Sequence, residues 1–327
     1  MTCIKFHSLG HSLAAGCANG DILIWDLDTK NIVRKLKAHK AGVTCIDWFK
    51  DTKYMISSCR NGQVYLWDVV SQQAQLVFEE SGKVLVAARF HPHDKNTCLV
   101  IPMNSSPLII KNGISKEIIR VFDAEFSDAS FMNDGAMLVY GDSSGKLLLL
   151  DIENDKLICE AENFASPIYQ IVVKQKYCLF ACKNRNVIVN YADRSVRMYT
   201  IDFVSGTINL IHKLQDLVDR PLWSRIAFSG DEEYILGGTN NKSIHNIYVW
   251  SKHSGTLFKM LEGPREGLID LNFHPYRPII ASLSAYGVIF LWKGSIDENW
   301  SAYASNFQEL QDNEEYEERE DEFDIVH

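Results

Sequence analysis

The stretches "ANGDILIWDLDTKNIVRKLKAHKAGVTCIDWF" (residues 18–49) and "RNGQVYLWDVVSQQAQLVFEESGKVLVAARF" (residues 60–90) carry one pattern. Each opens on an Asn-Gly turn signal. Each then runs through a short alternating strand to Trp-Asp, turns, and gives two more short strands. Trp25 and Trp67 stand 42 positions apart, and so do Trp250 and Trp292, in "IYVWSKHSGTLFKML" and "GVIFLWKGS". Weaker copies fill the middle. "SPLIIKNG" falls near residue 110, "SGKLLLLDIENDKLICE" puts Leu150 in the Trp position, and "DRSVRMYTID" puts Tyr199 there. This makes seven copies at a mean spacing of about 44 residues.

Four short strands with a Trp-Asp signature at this period describe a blade of a β-propeller. One blade cannot bury both its faces, but seven packed radially can. The expected fold is therefore all-β: a seven-bladed WD-repeat β-propeller over residues 1–294, followed by an extended acidic C-terminal tail. Trp25, Trp67, Trp250 and Trp292 are expected between blades. The repeats resemble the WD-repeat family over roughly residues 2–293. His39 in "AHKAGV" matches the Gly-His element of that family. Asn19 and Asn61 stand where many members carry the Asp that bonds such a His, so that network is not expected here. Propellers usually seal the ring with a strand from the opposite terminus. Either "NWSAYA" or a strand ahead of "TCIKF" would complete the seventh blade.

The net charge is −9, and residues 312–324 hold nine acidic side chains and one basic. The rest of the chain is thus nearly neutral, which argues against a nucleic-acid coat held by overall positive charge. The eight cysteines form no C-x-x-C pair, and several lie in apolar runs, as in "GCANG" and "TCIDW". They read as small buried thiols in a reducing compartment. No secretory signal is visible and no stretch approaches eighteen apolar residues, so no membrane partner is expected.

A search for chemistry finds no phosphate-binding loop, nucleophile elbow or zinc-protease motif. "HPHD" (residues 91–94) offers metal-ligand residue types, but "FHP" recurs at residues 273–275, which marks a repeated turn. The clustered carboxylates of "DEEY" (residues 231–234) fall where a turn joins two strands. No cofactor and no catalytic residue are expected. Two stretches are locally basic. In the long connection of residues 212–235, Arg220 and Arg225 flank Trp223, which suits either an interface or a plug between blades. In "KQKYCLFACKNRNVIVN" (residues 174–190), Lys183 and Arg185 suit a basic surface or a solvated loop.

The tail has two parts. Trp300, Tyr303, Phe307 and Leu310 are spaced by three or four, which suits a short helix or an anchor strip. The acidic run "EEYEEREDEFDI" (residues 314–325) cannot fold alone, yet it interleaves Tyr316, Phe323 and Ile325. It reads either as a solubilising tail or as a segment that orders on a basic, partly apolar groove.

"KLQDLVDRPLW", "FSGDEEYI", "HPYRPIIAS" and "NWSAYASNFQELQDNEEYEEREDEFDI" together resemble the retinoblastoma-binding protein five family. Its members are WD-repeat subunits of COMPASS-type histone H3 lysine-4 methyltransferases. The resemblance is strongest over residues 213–325 and colinear upstream. It implies a nuclear, non-catalytic scaffold and activator. Its partners would be a SET-domain methyltransferase subunit, a SPRY-domain subunit, a second WD-repeat subunit and the nucleosome. Carried over by position, residues 295–313 form the SET-activating segment, with Asn299, Trp300, Tyr303, Phe307, Glu309 and Leu310 in contact. Residues 314–327 form the SPRY-docking tail. There Glu315, Glu317, Glu318, Glu320, Asp321, Glu322 and Asp324 pair with a basic groove, and Tyr316, Phe323 and Ile325 anchor. Lys183, Arg185, Arg220 and Arg225 are the candidates for nucleosome contact. In that family the second WD-repeat subunit binds a motif after the acidic run, which the sequence to His327 does not include. The alternative reading is a WD-repeat adaptor of another nuclear assembly, such as a ubiquitin ligase. It would use a propeller face and leave the tail dispensable.

Overall fold

The computed structural model describes residues 1–294, except 52, 104, 118–125, 162–165, 174–183 and 204. Its contacts divide the chain into Met1–Lys293 and Gly294–His327. The first unit is the propeller. Blade 1 is β1 (Cys3–Phe6), β2 (Ser12–Gly16), β3 (Asp21–Asp26) and β4 (Ile32–Lys37). Blade 2 is β5 (Val43–Trp48), β6 (Tyr54–Cys59), β7 (Gln63–Asp68) and β8 (Gln73–Glu79). Blade 3 is β9 (Leu85–Phe90), β10 (Thr97–Pro102), β11 (Leu108–Lys111) and β12 (Ile114–Glu117). Blade 4 is β13 (Phe126–Met132), β14 (Met137–Asp142), β15 (Leu147–Asp151) and β16 (Lys156–Glu160). Blade 5 is β17 (Ile168–Val173), β18 (Asn184–Tyr191), β19 (Val196–Asp202) and β20 (Thr207–Leu214). Blade 6 is β21 (Trp223–Phe228), β22 (Tyr234–Thr239), β23 (Asn246–Ser251) and β24 (Leu257–Glu262). Blade 7 is β25 (Leu268–Phe273), β26 (Ile279–Ser284) and β27 (Ile289–Lys293). Every blade is an antiparallel meander in chain order, and blade 7 has three strands among the described residues.

Composition explains the order within a blade. Second strands such as "SLAAG", "TCLVIP" and "IIASLS" are apolar or small throughout and are buried along nearly their whole length. A strand covered on both faces has no need of alternation. Outer strands such as "IVRKLK" and "LFKMLE" are mostly exposed and carry lysine, which suits an edge. β27 departs from the other third strands: Leu291 is 42% exposed, and the strand's second edge is unpaired among the described residues.

The core is seven layers, one at each seam. Each holds one of the seven repeat-marking residues. Trp67 packs between blades 1 and 2, and Ile110 between 2 and 3. Leu150 packs between blades 3 and 4, Tyr199 between 4 and 5, and Trp250 between 5 and 6. Trp292 packs between blades 6 and 7, and Trp25 between 7 and 1. At Trp25, Leu150, Tyr199 and Trp250 the register shifts against the outer strand. Such a bulge adds twist and turns the side chain toward the neighbouring blade.

Two indoles are fixed by the same device. Trp67 Nε1 donates to Ser57 Oγ at 2.7 Å, and His39 Nε2 lies 2.6 Å from that oxygen. Trp292 Nε1 donates to Ser282 Oγ at 2.8 Å, with His245 Nε2 at 2.7 Å. His39 enters from the connection between blades 1 and 2. His245 comes instead from the connection before β23, in the preceding blade. Among the described residues no carboxylate completes the His39 network, and His39 Nδ1 is buried without a protein partner.

The metal candidate "HPHD" is a turn lock. His91 Nδ1 accepts the backbone N–H groups of His93 and Asp94, both at 3.2 Å. His274 Nδ1 does the same for Tyr276 and Arg277, at 3.0 and 2.8 Å. Each imidazole then fills the space over a glycine of the next blade. A Cβ on Gly135 would meet His91, and one on Gly10 would meet His274, and both glycines have positive φ. Among the described residues no cluster of His, Cys, Asp and Glu could hold a metal.

Candidate functional site

The blades converge on a channel of about 420 Å³. In blades 4 to 7 the innermost strand is bulged near its start, and the residue after the shift is Asp128, Gln170, Arg225 or Asp270. All four line the channel. They do not wait there for a ligand, because each is committed to the next blade. Asp128 Oδ2 accepts the Ile171 N–H at 2.8 Å and pairs with Arg89 of blade 3 at 2.9 Å. Gln170 Oε1 accepts the Ile226 N–H at 2.9 Å. Arg225 Nε lies 3.3 Å from Asp270 Oδ1, and Asp270 Oδ2 accepts the Ile4 N–H at 2.7 Å. Asp47 Oδ2 accepts the Phe90 N–H at 3.0 Å, and Lys5 reaches Asp47 at 4.0 Å. The result is a belt that links every blade to its neighbour. Burial raises the Asp270 carboxyl, against the pull of Arg225.

The loops offer more exposed chemistry. Because the strands alternate in direction, connections 2→3 and 4→1 emerge on one face and the others on the opposite face. Arg194, in the turn between β18 and β19, donates to the Arg220 carbonyl at 3.0 Å. The Leu222 carbonyl accepts the Asn240 N–H at 2.6 Å. The backbone of Asn241 and Lys242 then lies against Gly267. An arc of exposed Arg194, Arg220, Lys242 and Arg265 follows, and among the described residues none of the four forms an ion pair. The opposite face presents exposed Asp28, Asp51, Asp134, Glu153, Asp231 and Glu233.

Of the four basic residues singled out from sequence, the three that are described do not converge. Arg220 belongs to the arc. Arg225 lies in the channel wall, half-buried, with its Nε 3.3 Å from Asp270 Oδ1. Arg185 is the second residue of β18, on the face opposite the arc. Lys183 lies outside the described residues, as do Asn299, Trp300, Tyr303, Phe307, Glu309, Leu310 and residues 314–327. Trp223 is a plug: it is 3% exposed, packs edge-on to Trp250 at 5.0 Å and donates to the Arg194 carbonyl at 2.9 Å. "DEEY" is a turn in which Asp231 accepts the Glu233 N–H at 3.0 Å, and Glu233 pairs with His253. Cys3, Cys59 and Cys98 are buried, and burial pushes the Cys98 thiol up to about 12. Sequence reading missed Arg194, Lys242 and Arg265. Their signal was their shared position in 2→3 and 4→1 turns, which needs strand boundaries to be seen.

The WD domain, G-beta repeat model matches residues 1–26 and 30–68. Retinoblastoma-binding-like protein E of Dictyostelium discoideum is 35% identical over 98% of this chain and 65% of its own length. The Set1 complex component swd1 of Schizosaccharomyces pombe is 32% identical over 99% of this chain and 83% of its own. The crystal structure of the Myceliophteria thermophila Cps50 (Swd1) β-propeller domain superposes with a TM-score of 0.82 at 25% identity. That match covers 90% of this chain and 97% of the solved one. The chain spans about two thirds of the length of its Dictyostelium relative. By these similarities the chain belongs to the retinoblastoma-binding protein 5/Swd1 family.

Proposed function

We propose that the chain is a non-catalytic scaffold and activator subunit of a COMPASS-type histone H3 lysine-4 methyltransferase complex in the nucleus. The observation that carries this is the likeness to the Set1 complex component swd1 across 99% of the chain. The channel supports the non-catalytic part: Asp47, Asp128 and Asp270 are each spent on a neighbouring blade rather than poised as an acid and base pair. Residues 295–313 contact the SET subunit and residues 314–327 dock on the SPRY subunit. One tail bound at two places raises the effective concentration of each partner for the other. It also favours the competent arrangement of the SET subunit. In the acidic run, charge supplies rate of encounter and specificity, and Tyr316 and Phe323 supply most of the affinity.

The arc of Arg194, Arg220, Lys242 and Arg265 supports a reading in which this face meets the nucleosome. Four cations without ion-pair partners among the described residues suit a phosphate backbone. One reconstituted complex with the SET and SPRY subunits tests both surfaces, using a free histone H3 peptide and nucleosomes as substrates. Tyr316→Ala/Phe323→Ala lowers methylation of both substrates. Arg194→Glu/Arg220→Glu lowers only nucleosome methylation, about tenfold or more at physiological salt. Equal loss on peptide and nucleosome with the arginine pair would refute the assignment of this face.

A further inference from the structure

The sequence holds three Asn-Gly pairs, at residues 19–20, 61–62 and 112–113. The fold puts them to two different uses. Asn19-Gly20 and Asn61-Gly62 lie in connections between second and third strands, and both pairs are tied down. The Gly20 N–H donates to the Cys17 carbonyl at 3.1 Å, and the Gly62 N–H to the Cys59 carbonyl at 3.3 Å. Each glycine also packs against the connection that leaves its own blade, Gly20 at the His39 carbonyl and Gly62 at the Glu80 carbonyl. Asn19 Oδ1 accepts the Asp21 N–H at 3.1 Å, and its Nδ2 donates to Asp21 Oδ2 at 3.0 Å.

Asn112-Gly113 is instead the whole turn between β11 and β12. Lys111 pairs with Ile114, and the two turn residues have φ of 51° and 81°, as in the type I′ hairpin that Asn-Gly favours. Residues 111–115 are exposed, and no atom lies within 4 Å of where a Gly113 Cβ would stand. Among the described residues neither the Gly113 N–H nor the Asn112 carboxamide has a hydrogen-bond partner.

We propose that Asn112 is a site of spontaneous covalent modification, in which its carboxamide is converted through a succinimide to a carboxylate. The Gly113 nitrogen, deprotonated by solvent base, attacks Asn112 Cγ. The new N–C bond closes a five-membered ring. The Cγ–Nδ2 bond breaks, and the leaving nitrogen takes up a proton and departs as ammonia. Water then opens the ring at either carbonyl, giving aspartate or isoaspartate. No oxidant or metal is required. Glycine at the second position leaves the attacking nitrogen unshielded by a side chain. The turn must open for the nitrogen to reach Cγ, and local opening costs least where few bonds and contacts are broken. Isoaspartate adds one carbon to the main chain of a two-residue turn. The β11–β12 pairing is regular, with no bulge to absorb that carbon, so β12 comes away from β11. Ile109 and Ile110 of β11 stay in their seams, which confines the change to the outer strand.

The test is to hold the full chain at pH 8 and 37 °C and follow amide-to-acid conversion at the three asparagines by peptide mass spectrometry. In the folded chain Asn112 converts about tenfold or more faster than Asn19 or Asn61. In guanidinium chloride the three convert at similar rates. Hydrogen exchange in the converted chain rises in β12 and is unchanged in β9–β11. Asn112→Asp, which carries the new charge without the extra main-chain carbon, leaves β12 as in the parent protein. Conversion at Asn112 no faster than at Asn19 or Asn61 in the folded chain would overturn the proposal. The same preference in guanidinium would also overturn it, because the fold would then play no part.

Discussion

Replacing Arg197 with alanine destabilises the propeller by about 3–4 kcal/mol and lowers its thermal midpoint by about 6–12 °C. Arg197 lies on β19 and is 3% exposed. Its Nη2 donates to Asp193 Oδ2 at 2.5 Å, and its guanidinium sits 4.3 Å from the centroid of the Tyr191 ring. Tyr191 and Tyr199 share a hydroxyl hydrogen bond of 2.8 Å beside it, and burial raises both phenols. Alanine removes the cation over the ring and leaves a cavity in the seam between blades 4 and 5. Asp193 would lose its counter-charge, but its side chain is 30% exposed and can turn to water. That exposure makes a second variant informative. Arg197→Met refills the volume without the charge, so about half of the loss returns. Differential scanning calorimetry of the three proteins checks both values. A shift under 2 °C for Arg197→Ala would refute the role given to this side chain.

Acid unfolds this propeller earlier than its carboxylates alone would require. Burial pushes the His39 imidazole down from its ordinary value of 6.5 to about 4. His91, His245 and His274 are also lowered, in each case mainly by burial. A depressed histidine is neutral in the fold and takes up a proton more readily once unfolded. The unfolded chain therefore binds more protons between about pH 6.5 and 4, and stability falls as pH falls through that window. His39 alone accounts for about 3 kcal/mol at most across it. The geometry agrees with the sign. Protonating Nδ1 of His274 would displace the two backbone N–H groups it accepts. Below about pH 4 the His39 contribution stops changing. Asp21, Asp68, Asp94, Asp151 and Asp216, whose hydrogen bonds hold them below the usual range, then lose theirs. Thermal midpoints measured from pH 7.5 to 4 should fall most steeply between 6.5 and 4.5. A flat profile down to pH 4.5 would contradict the account.

The repeat was legible because its markers do one job seven times. Trp25, Trp67, Trp250 and Trp292 stood out, and Leu150 and Tyr199 could be placed by spacing even though neither is Trp. Each lies in its own seam, so the period of the chain is the period of the core. The belt around the channel was not legible. Its partners lie 43 residues apart at Asp47 and Phe90, and 266 apart at Ile4 and Asp270. The side chain in that role is Asp, Gln or Arg, so no motif repeats. His245 was missed for a related reason. The Gly-His signal puts the histidine in the connection entering its own blade, whereas His245 reaches Ser282 from the blade before. The pairing of Arg225 with Asp270 was not legible, because a linear run of basic residues does not reveal which side chain turns toward the channel. Trp223 was left open between two uses, and its indole N–H, bonded to the Arg194 carbonyl, decides for the plug. The tail was read through resemblance. Its physical part is the interleaving of Tyr316, Phe323 and Ile325 with acidic residues, and its roles remain proposals.

The central claim is that the propeller scaffolds while residues 295–327 activate. Its most direct test is the initial rate of histone H3 peptide methylation by reconstituted SET and SPRY subunits. The full chain is compared with a chain ending at Gly294, and circular dichroism checks that the shorter chain keeps its β-structure. The account predicts that the rate with the shorter chain falls to that of the SET and SPRY subunits alone while the propeller stays folded. An unchanged rate with the chain ending at Gly294 would contradict it, and would move the activating role to the propeller.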